Sequence, residues 1–363
     1  MMDWTDSTCR RFHRLLTREA LLYTEMLHAN AVIHGERSRL LAFDAAEQPL
    51  AVQLGGSDPT ALAAAARICE DAGFDEINLN VGCPSERVQS GAFGACLMAE
   101  PERVAEGVAA MRAAVAVPVT VKHRIGIDDQ DAEEDLERFT TTVAAAGCDA
   151  FIVHARKAWL QGLDPKANRE VPPLDYARVQ RLKARHPGWR VVLNGGLTDV
   201  EAARSWLDPV SAGSGWYGEP VTAPALDGVM LGRAAYQRPL QLARVDRCYF
   251  ARDVGCGAGC GAAERIDDDA LLEDLVEPLA DLAARVVAGG QRLHSLTRHV
   301  QGLGHARPGG RLYRRLLTQR APAIRTPAAA ADLMREALQS MLVNRPERGA
   351  DEDRASALEG YGR

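Results

Sequence analysis

The chain is predicted to be an α/β protein, a TIM (β/α)8 barrel whose first strand is truncated, followed by a C-terminal all-helical domain. Three observations predict this. From residue 22 to about 231, short apolar runs rich in β-branched residues alternate with helical stretches, which implies parallel strand–helix–strand units. Seven such runs exceed a five- or six-stranded doubly wound sheet and approach the eight of a barrel. After Ala235, apolar residues recur only at three- and four-residue spacing, as in packed helices.

The strands are expected at Leu22–Met26, Ala51–Leu54, Glu76–Val81, Val117–His123, Ala150–His154, Arg190–Asn194 and Gly228–Leu231. Helices are expected near 5–19, 60–72, 101–115, 131–146, 175–186 and 199–207. Ser57-Asp58-Pro59 sets cap residues before a proline at the first helical position, and Gly73 ends that helix. No G-x-G-x-x-G follows the first strand, which argues against a Rossmann sheet. A barrel needs one more strand, before the helix at 5–19, yet the chain opens at Met1-Met2-Asp3-Trp4. The expectation is that this strand lies upstream of the assigned start, since an unclosed barrel exposes two strand edges. The Gly/Pro/Ser-rich stretch 207–226 reads as an inserted surface loop. Residues 1–240 are assigned to the barrel and 241–343 to the helical domain. The polar tail 344–363 is expected to be disordered.

Of 363 residues, 25 % are charged and 47 % apolar, ordinary for a globular protein. No run of 18 apolar residues is present, so no membrane span is expected. The first residues lack the apolar core of a signal peptide, and eight cysteines show no framework spacing. Both favour free thiols in a reducing cytoplasm. Cys256-x-x-x-Cys260 has no second Cys or His pair close by, so no metal site is expected. The net charge of −6 is unevenly spread: Gln291 to Arg325 holds eight arginines and no Asp or Glu. A basic segment on an otherwise acidic protein points to a phosphate-bearing partner.

The most informative stretch is Glu76 to Met98, EINLNVGCPSERVQSGAFGACLM. The alternating residues Ile77, Leu79 and Val81 mark a strand. Gly82-Cys83-Pro84 then delivers a thiol at its C-terminal end, where barrel enzymes carry their catalytic side chains. This stretch resembles the signature of the tRNA-dihydrouridine synthases, flavin enzymes that reduce uridines in tRNA. The segment His154–Tyr176, HARKAWLQGLDPKANREVPPLDY, resembles their A-type subfamily, whose members act on D-loop uridines 20 and 20a.

The resemblance implies FMN as cofactor and NADPH as the reductant that reloads it. The matching FMN contacts are Gln53, Lys122, His154, Asn194, Gly195, Gly196, Gly232 and Arg233. A backbone contact from the first-strand turn would fall at Met1-Met2. The residue types agree with that role. Asn194-Gly195-Gly196 and Gly232-Arg233 follow consecutive strands, where a barrel keeps its phosphate site. Lys122 can face the ring edge that becomes negative on reduction. Gln53 can hydrogen-bond the pyrimidine-like edge, and His154 can reach phosphate or ring.

Reduction of the uracil C5=C6 bond requires a hydride at C6 and a proton at C5. The resemblance gives the proton to Cys83, and thiols are mostly protonated near neutrality. Cys96, in GACLM, is the competing thiol. The resemblance further implies tRNA contacts from Asn80, Lys166, Arg169, Arg311 and Arg314, with the target uridine flipped out of the tRNA. The protein is expected to be a cytoplasmic monomer with no DNA or membrane partner. Two other readings stay open on the sequence: an oxidoreductase of free pyrimidines or dihydroorotate on a related barrel, and an inert tRNA-binding protein.

Overall fold

The computed structural model describes residues 1–85, 88, 91–130, 133–208, 210–214, 220–223, 225–250 and 267–343. Cys256, Cys260 and the tail 344–363 lie outside the described residues. The chain divides into two compact units, Met1–Tyr236 with Gln241–Gly255, and Gln237–Leu240 with Cys256–Arg363.

Among the described residues the first unit has nine strands: β1 (Leu22–His28), β2 (Leu50–Gly55), β3 (Glu76–Val81), β4 (Val119–Arg124), β5 (Ala150–His154), β6 (Val191–Asn194), β7 (Val210–Ser214), β8 (Pro220–Ala223) and β9 (Gly228–Met230). Seven of them form one parallel sheet in the order β1-β2-β3-β4-β5-β6-β9. Helices α1 (Ser7–Arg14), α2 (Ala29–His34), α3 (Arg37–Leu40), α4 (Pro59–Asp71), α5 (Pro101–Ala114), α6 (Glu133–Ala145), α7 (Tyr176–Arg185), α8 (Val200–Ala203) and α9 (Arg233–Gln237) accompany it. The curled sheet with its helices is a TIM barrel carrying seven of the eight strands. Among the described residues no strand precedes α1. In the gap between β1 and β9 lies the N-terminal turn. The Asp3 N–H donates to Glu25 of β1, and the Trp4 ring stacks on Tyr236 of α9 with centroids 4.3 Å apart.

All seven expected parallel strands are present. The expected cap holds as well: Asp58 Oδ1 accepts the Ala61 N–H at 2.8 Å, with Pro59 opening α4. The floor of the barrel repeats one device. Asp75, Asp149 and Asp227 each precede a strand. Each donates its N–H to, and accepts with its carboxylate from, the first residue of the neighbouring strand: Leu50, Val119 and Val191. Three strand pairs are thereby clasped in register at the end away from the site.

Three expectations need correction. The helix expected at 5–19 stops at Arg14, whose guanidinium instead bonds the carbonyls of Thr17, Arg18 and Ala20. The helix expected at 199–207 is one turn of α8 followed by a 3₁₀ turn, Arg204–Leu207. The segment 207–226 is not simply a loop, because β7 and β8 pair antiparallel within it.

The second unit comprises α10 (Asp268–Ala288), α11 (His294–Val300), α12 (Gly310–Arg320) and α13 (Pro327–Leu342). The stripe Leu272, Leu275, Leu279, Leu282 and Val286 of α10 is buried, as are Leu333, Met334, Ala337 and Leu338 of α13, and the two helices pack together. Among the described residues no helix is long and apolar enough to cross a membrane.

Candidate active site

The expected cofactor residues, Asn80 and Cys83 lie in the C-terminal half of a strand or just beyond its end, whereas Cys96, Lys166 and Arg169 lie in 3₁₀ turns or their caps. Parallel strands put all those ends on one rim. Gln53 is on β2, Asn80 on β3, Lys122 on β4, His154 on β5 and Asn194 on β6, with Gly232-Arg233 after β9.

On β3 the apolar residues Ile77, Leu79 and Val81 enter the hydrophobic core. Strand alternation then turns Asn78 and Asn80 to the opposite face, into the barrel. Asn80 Oδ1 accepts the N–H groups of Gly82 and Cys83 at 3.1 and 3.0 Å, closing the turn that carries the thiol. Asn80 Nδ2 donates to Gln53 Oε1 at 2.7 Å. Behind the turn, the Cys83 carbonyl accepts the Ala95 N–H at 2.9 Å. Gly94 beside it has φ +76°, and a Cβ there would stand 2.7 Å from that carbonyl oxygen, so only glycine fits. The half-buried Cys83 Sγ faces Ser85 Oγ at 3.5 Å. The competing thiol, Cys96, is in a 3₁₀ turn and donates to the Phe93 carbonyl at 3.1 Å. Burial and Glu100 raise its pKa, making it a poorer proton donor than an ordinary thiol.

Lys122 is the register partner of Asn80, and its ammonium makes no hydrogen bond among the described residues. Burial first, and Arg124 second, press its pKa down to about 8, against the pull of Cys83. His154 is held well below its usual range by burial, then by Arg124, Lys122, Arg156 and Arg233. Its ring lies over Gly195, whose φ is +104° and where a Cβ would meet His154 Cδ2 at 2.5 Å. Tyr176 fixes that turn, its hydroxyl donating to the Gly195 carbonyl at 2.7 Å. Asn194 Nδ2 donates to the Met230 carbonyl at 2.8 Å and so ties the β6 end to β9. Arg233 pairs with Glu170 at 2.8 Å. The rim thus gathers cations whose mutual repulsion is not met by an equal number of carboxylates, the electrostatic signature of an anion site.

Sequence reasoning missed Arg124 and Arg156. Both follow a chosen residue by two, Lys122 and His154, and a period of two would have found them. Arg124 is buried and clamps two segments. Its Nε donates to the Gly82 carbonyl at 3.0 Å, and Nη1 donates to the carbonyls of Lys157 and Asn168 at 3.0 and 2.9 Å. Asn168 in turn trades two bonds with Trp159, shaping the 157–169 loop. Lys166 and Arg169 are exposed on that loop.

Arg311 and Arg314 belong to the second unit, on α12. Arg314 donates to the Gly304 carbonyl at 2.6 Å. Arg311 and Arg315 are exposed, share a face at i, i+4 spacing and have no partner among the described residues. Two other arginines of the basic segment are neutralised: Arg307 pairs with Asp268 and Asp269, and Arg320 with Glu336.

The sequence model of the dihydrouridine synthase family matches residues 1–339. The tRNA-dihydrouridine(20/20a) synthase of Xanthomonas axonopodis pv. citri is 50 % identical over 339 residues, 93 % of this chain and 91 % of that protein. Proteins of the same name from Shewanella oneidensis and Synechocystis sp. are 50 % and 46 % identical, covering 88 % and 94 % of this chain and 87 % and 92 % of their own. Among solved structures, histamine dehydrogenase from Rhizobium sp. 4-9 aligns at a TM-score of 0.44 and 12 % identity over 67 % of this chain and 44 % of that one.

Proposed function

The chain belongs to the dihydrouridine synthase family, and from that membership we propose that it reduces uridines of the tRNA D-loop, at positions 20 and 20a, to 5,6-dihydrouridine. The cofactor of this reading is FMN and the reductant NADPH. The observation that carries it is the convergence on one barrel rim of a turn-borne thiol with a cluster of under-balanced cations.

The residues fit a flavin mononucleotide. The Gly195 turn under His154 is a cradle that a side chain would fill, and Arg156 and Arg233 flank it with positive charge. These groups, with Gly196 and Gly232, would hold the phosphate, and Lys122 and Gln53 the ring. When bound and reduced, FMN supplies the hydride that goes to C6. Cys83 holds the proton that goes to C5, from a thiol whose backbone is fixed by Asn80, Gly94 and Arg124. General acid assistance of this kind is worth about two to four orders of magnitude.

A uridine must leave its stack to meet a site this deep, and phosphate contacts hold it out. Lys166 and Arg169 supply them from the first unit, on a loop tied to the thiol turn. Arg311 and Arg315 supply them from the second, with Arg314 in a part-structural role. In this reading residues 1–240 hold the cofactor, 241–343 grip the tRNA, and the enzyme works in the cytoplasm as a monomer. The decisive experiment maps dihydrouridine in tRNA from cells with and without the gene. Persistence of the D-loop modification in the deletion strain, with nothing else removed, would end the proposal.

A further inference from the structure

The interior of a barrel of this type is ordinarily filled by branched apolar side chains. Here β3 turns Glu76, Asn78 and Asn80 inward, Thr120 of β4 lies beside them, and Asn78, Asn80 and Thr120 are buried. Such groups cost free energy unless each is bonded. They are bonded, and every bond runs the same way. Gly82 and Cys83 N–H donate to Asn80 Oδ1. Asn80 Nδ2 donates to Gln53 Oε1 at 2.7 Å, and Gln53 Nε2 to Asn78 Oδ1 at 2.8 Å. Asn78 Nδ2 donates to Thr120 Oγ1 at 2.8 Å, and the Thr120 hydroxyl to Glu76 Oε1 at 2.6 Å. The Tyr23 hydroxyl donates to the same oxygen at 2.7 Å. Gln53, Asn78 and Thr120 are register partners, so the middle rung crosses three strands.

A row of carboxamides can run in either sense, because each can be turned end for end. Only its ends can choose. The upper end is two backbone N–H groups, which donate only. The lower end is a carboxyl oxygen that accepts from two hydroxyls at once. Burial pushes the Glu76 carboxyl up, and the Thr120 and Tyr23 bonds pull it back. The register partner of Glu76 on β2 is Ala51 and that of Thr120 on β5 is Ala150, so neither neighbouring strand offers another side-chain acceptor at this level.

We propose that Glu76 is a positioning residue for the thiol. Acting through Thr120, Asn78 and Gln53, it holds from below the sense that the Gly82 and Cys83 N–H groups demand of the Asn80 amide, whose oxygen holds that backbone. The inference rests on the reading of Cys83 as proton donor and adds to it a residue at the far end of the same strand.

The test uses FMN-loaded full-length enzyme and three substitutions. Thr120→Val removes the hydroxyl at nearly constant volume, Thr120→Ser keeps it, and Glu76→Gln can present an N–H to Thr120 and so set the lower end of the row against the upper. Two quantities are read: kcat and KM for dihydrouridine formation on tRNA, and the rate at which iodoacetamide alkylates Cys83 without tRNA, followed on the peptide that carries it. Flavin content and melting temperature are recorded alongside. Thr120→Val and Glu76→Gln should lower kcat by about ten- to a hundredfold, with KM within about twofold. Both should change the alkylation rate at unchanged flavin content, and Thr120→Ser should restore both quantities. Unaltered kcat and alkylation in Thr120→Val and Glu76→Gln would overturn the proposal. So would losses that merely track flavin content or melting temperature, or that Thr120→Ser fails to restore. If Thr120→Val does not fold, Glu76→Gln decides alone on the same two readouts. Failure of the wild type to make dihydrouridine would instead strike the functional reading, and the alkylation comparison would still report the linkage.

Discussion

Cys83 is placed by its backbone: Asn80 takes its N–H, Ala95 gives to its carbonyl, and Arg124 holds the residue before it. Replacing it should therefore remove chemistry and leave binding. Cys83→Ala is expected to keep FMN and tRNA affinity while dihydrouridine formation drops by about two to four orders of magnitude, and undiminished single-turnover rates would refute the assignment. Lys122 offers a pH test. Its pKa is lowered from 10.5 to about 8 by burial, so its charge costs the folded state most below about 8, and that cost fades as pH rises towards 10.5. An anion bound beside it favours the charged form, so binding above pH 8 takes up a proton. FMN affinity, followed by fluorescence quenching, should fall as pH rises through about 8, and Lys122→Met should bind weakly with the slope flattened. At this scale the sequence was legible where a residue ends a strand, because a strand end has only one side of the barrel to go to. It was opaque for Glu76 and Thr120. Only their partners explain them, and those partners lie on other strands.

The parallel strands could be read from their runs because each buries an apolar face against helices, and Asp58-Pro59 announced α4 through its own chemistry. Where elements depart from expectation, a long-range bond decides. The pattern to residue 19 is helical, yet Arg14 also reaches the carbonyls of Glu47 and Pro49 and holds the chain that follows in an open turn. The clasps at the barrel floor belong to this scale too. Asp75 holds the start of β2 to the start of β3 through its carboxylate and its own N–H. Asp75→Ala removes the carboxylate bond and should cost about 1–2 kcal/mol in urea unfolding, with little effect on FMN affinity because the site is at the opposite rim. A larger fall in FMN affinity than in stability would show that the clasp acts on the site.

Across the whole chain, the excess of arginine between residues 291 and 325 was plain in the sequence, but its division of labour was not. Arg307 and Arg320 are spent on carboxylates, and Arg314 on a carbonyl, whereas Arg311 and Arg315 face solvent from one stripe of α12. The double replacement Arg311→Ala, Arg315→Ala should weaken tRNA binding and reduce the slope of log affinity against log salt by about 1.5 to 2, while FMN reduction by NADPH proceeds as before. An unchanged slope would remove that stripe from the interface. Arg124 has the widest reach of the groups at the rim, since one planar fork holds both the turn with the thiol and the loop with Lys166 and Arg169. Lysine has no such fork and could not serve both. A displacement of that loop would therefore pull on the backbone just before the thiol through a single rigid pin, so that two segments far apart in the chain share one mechanical part.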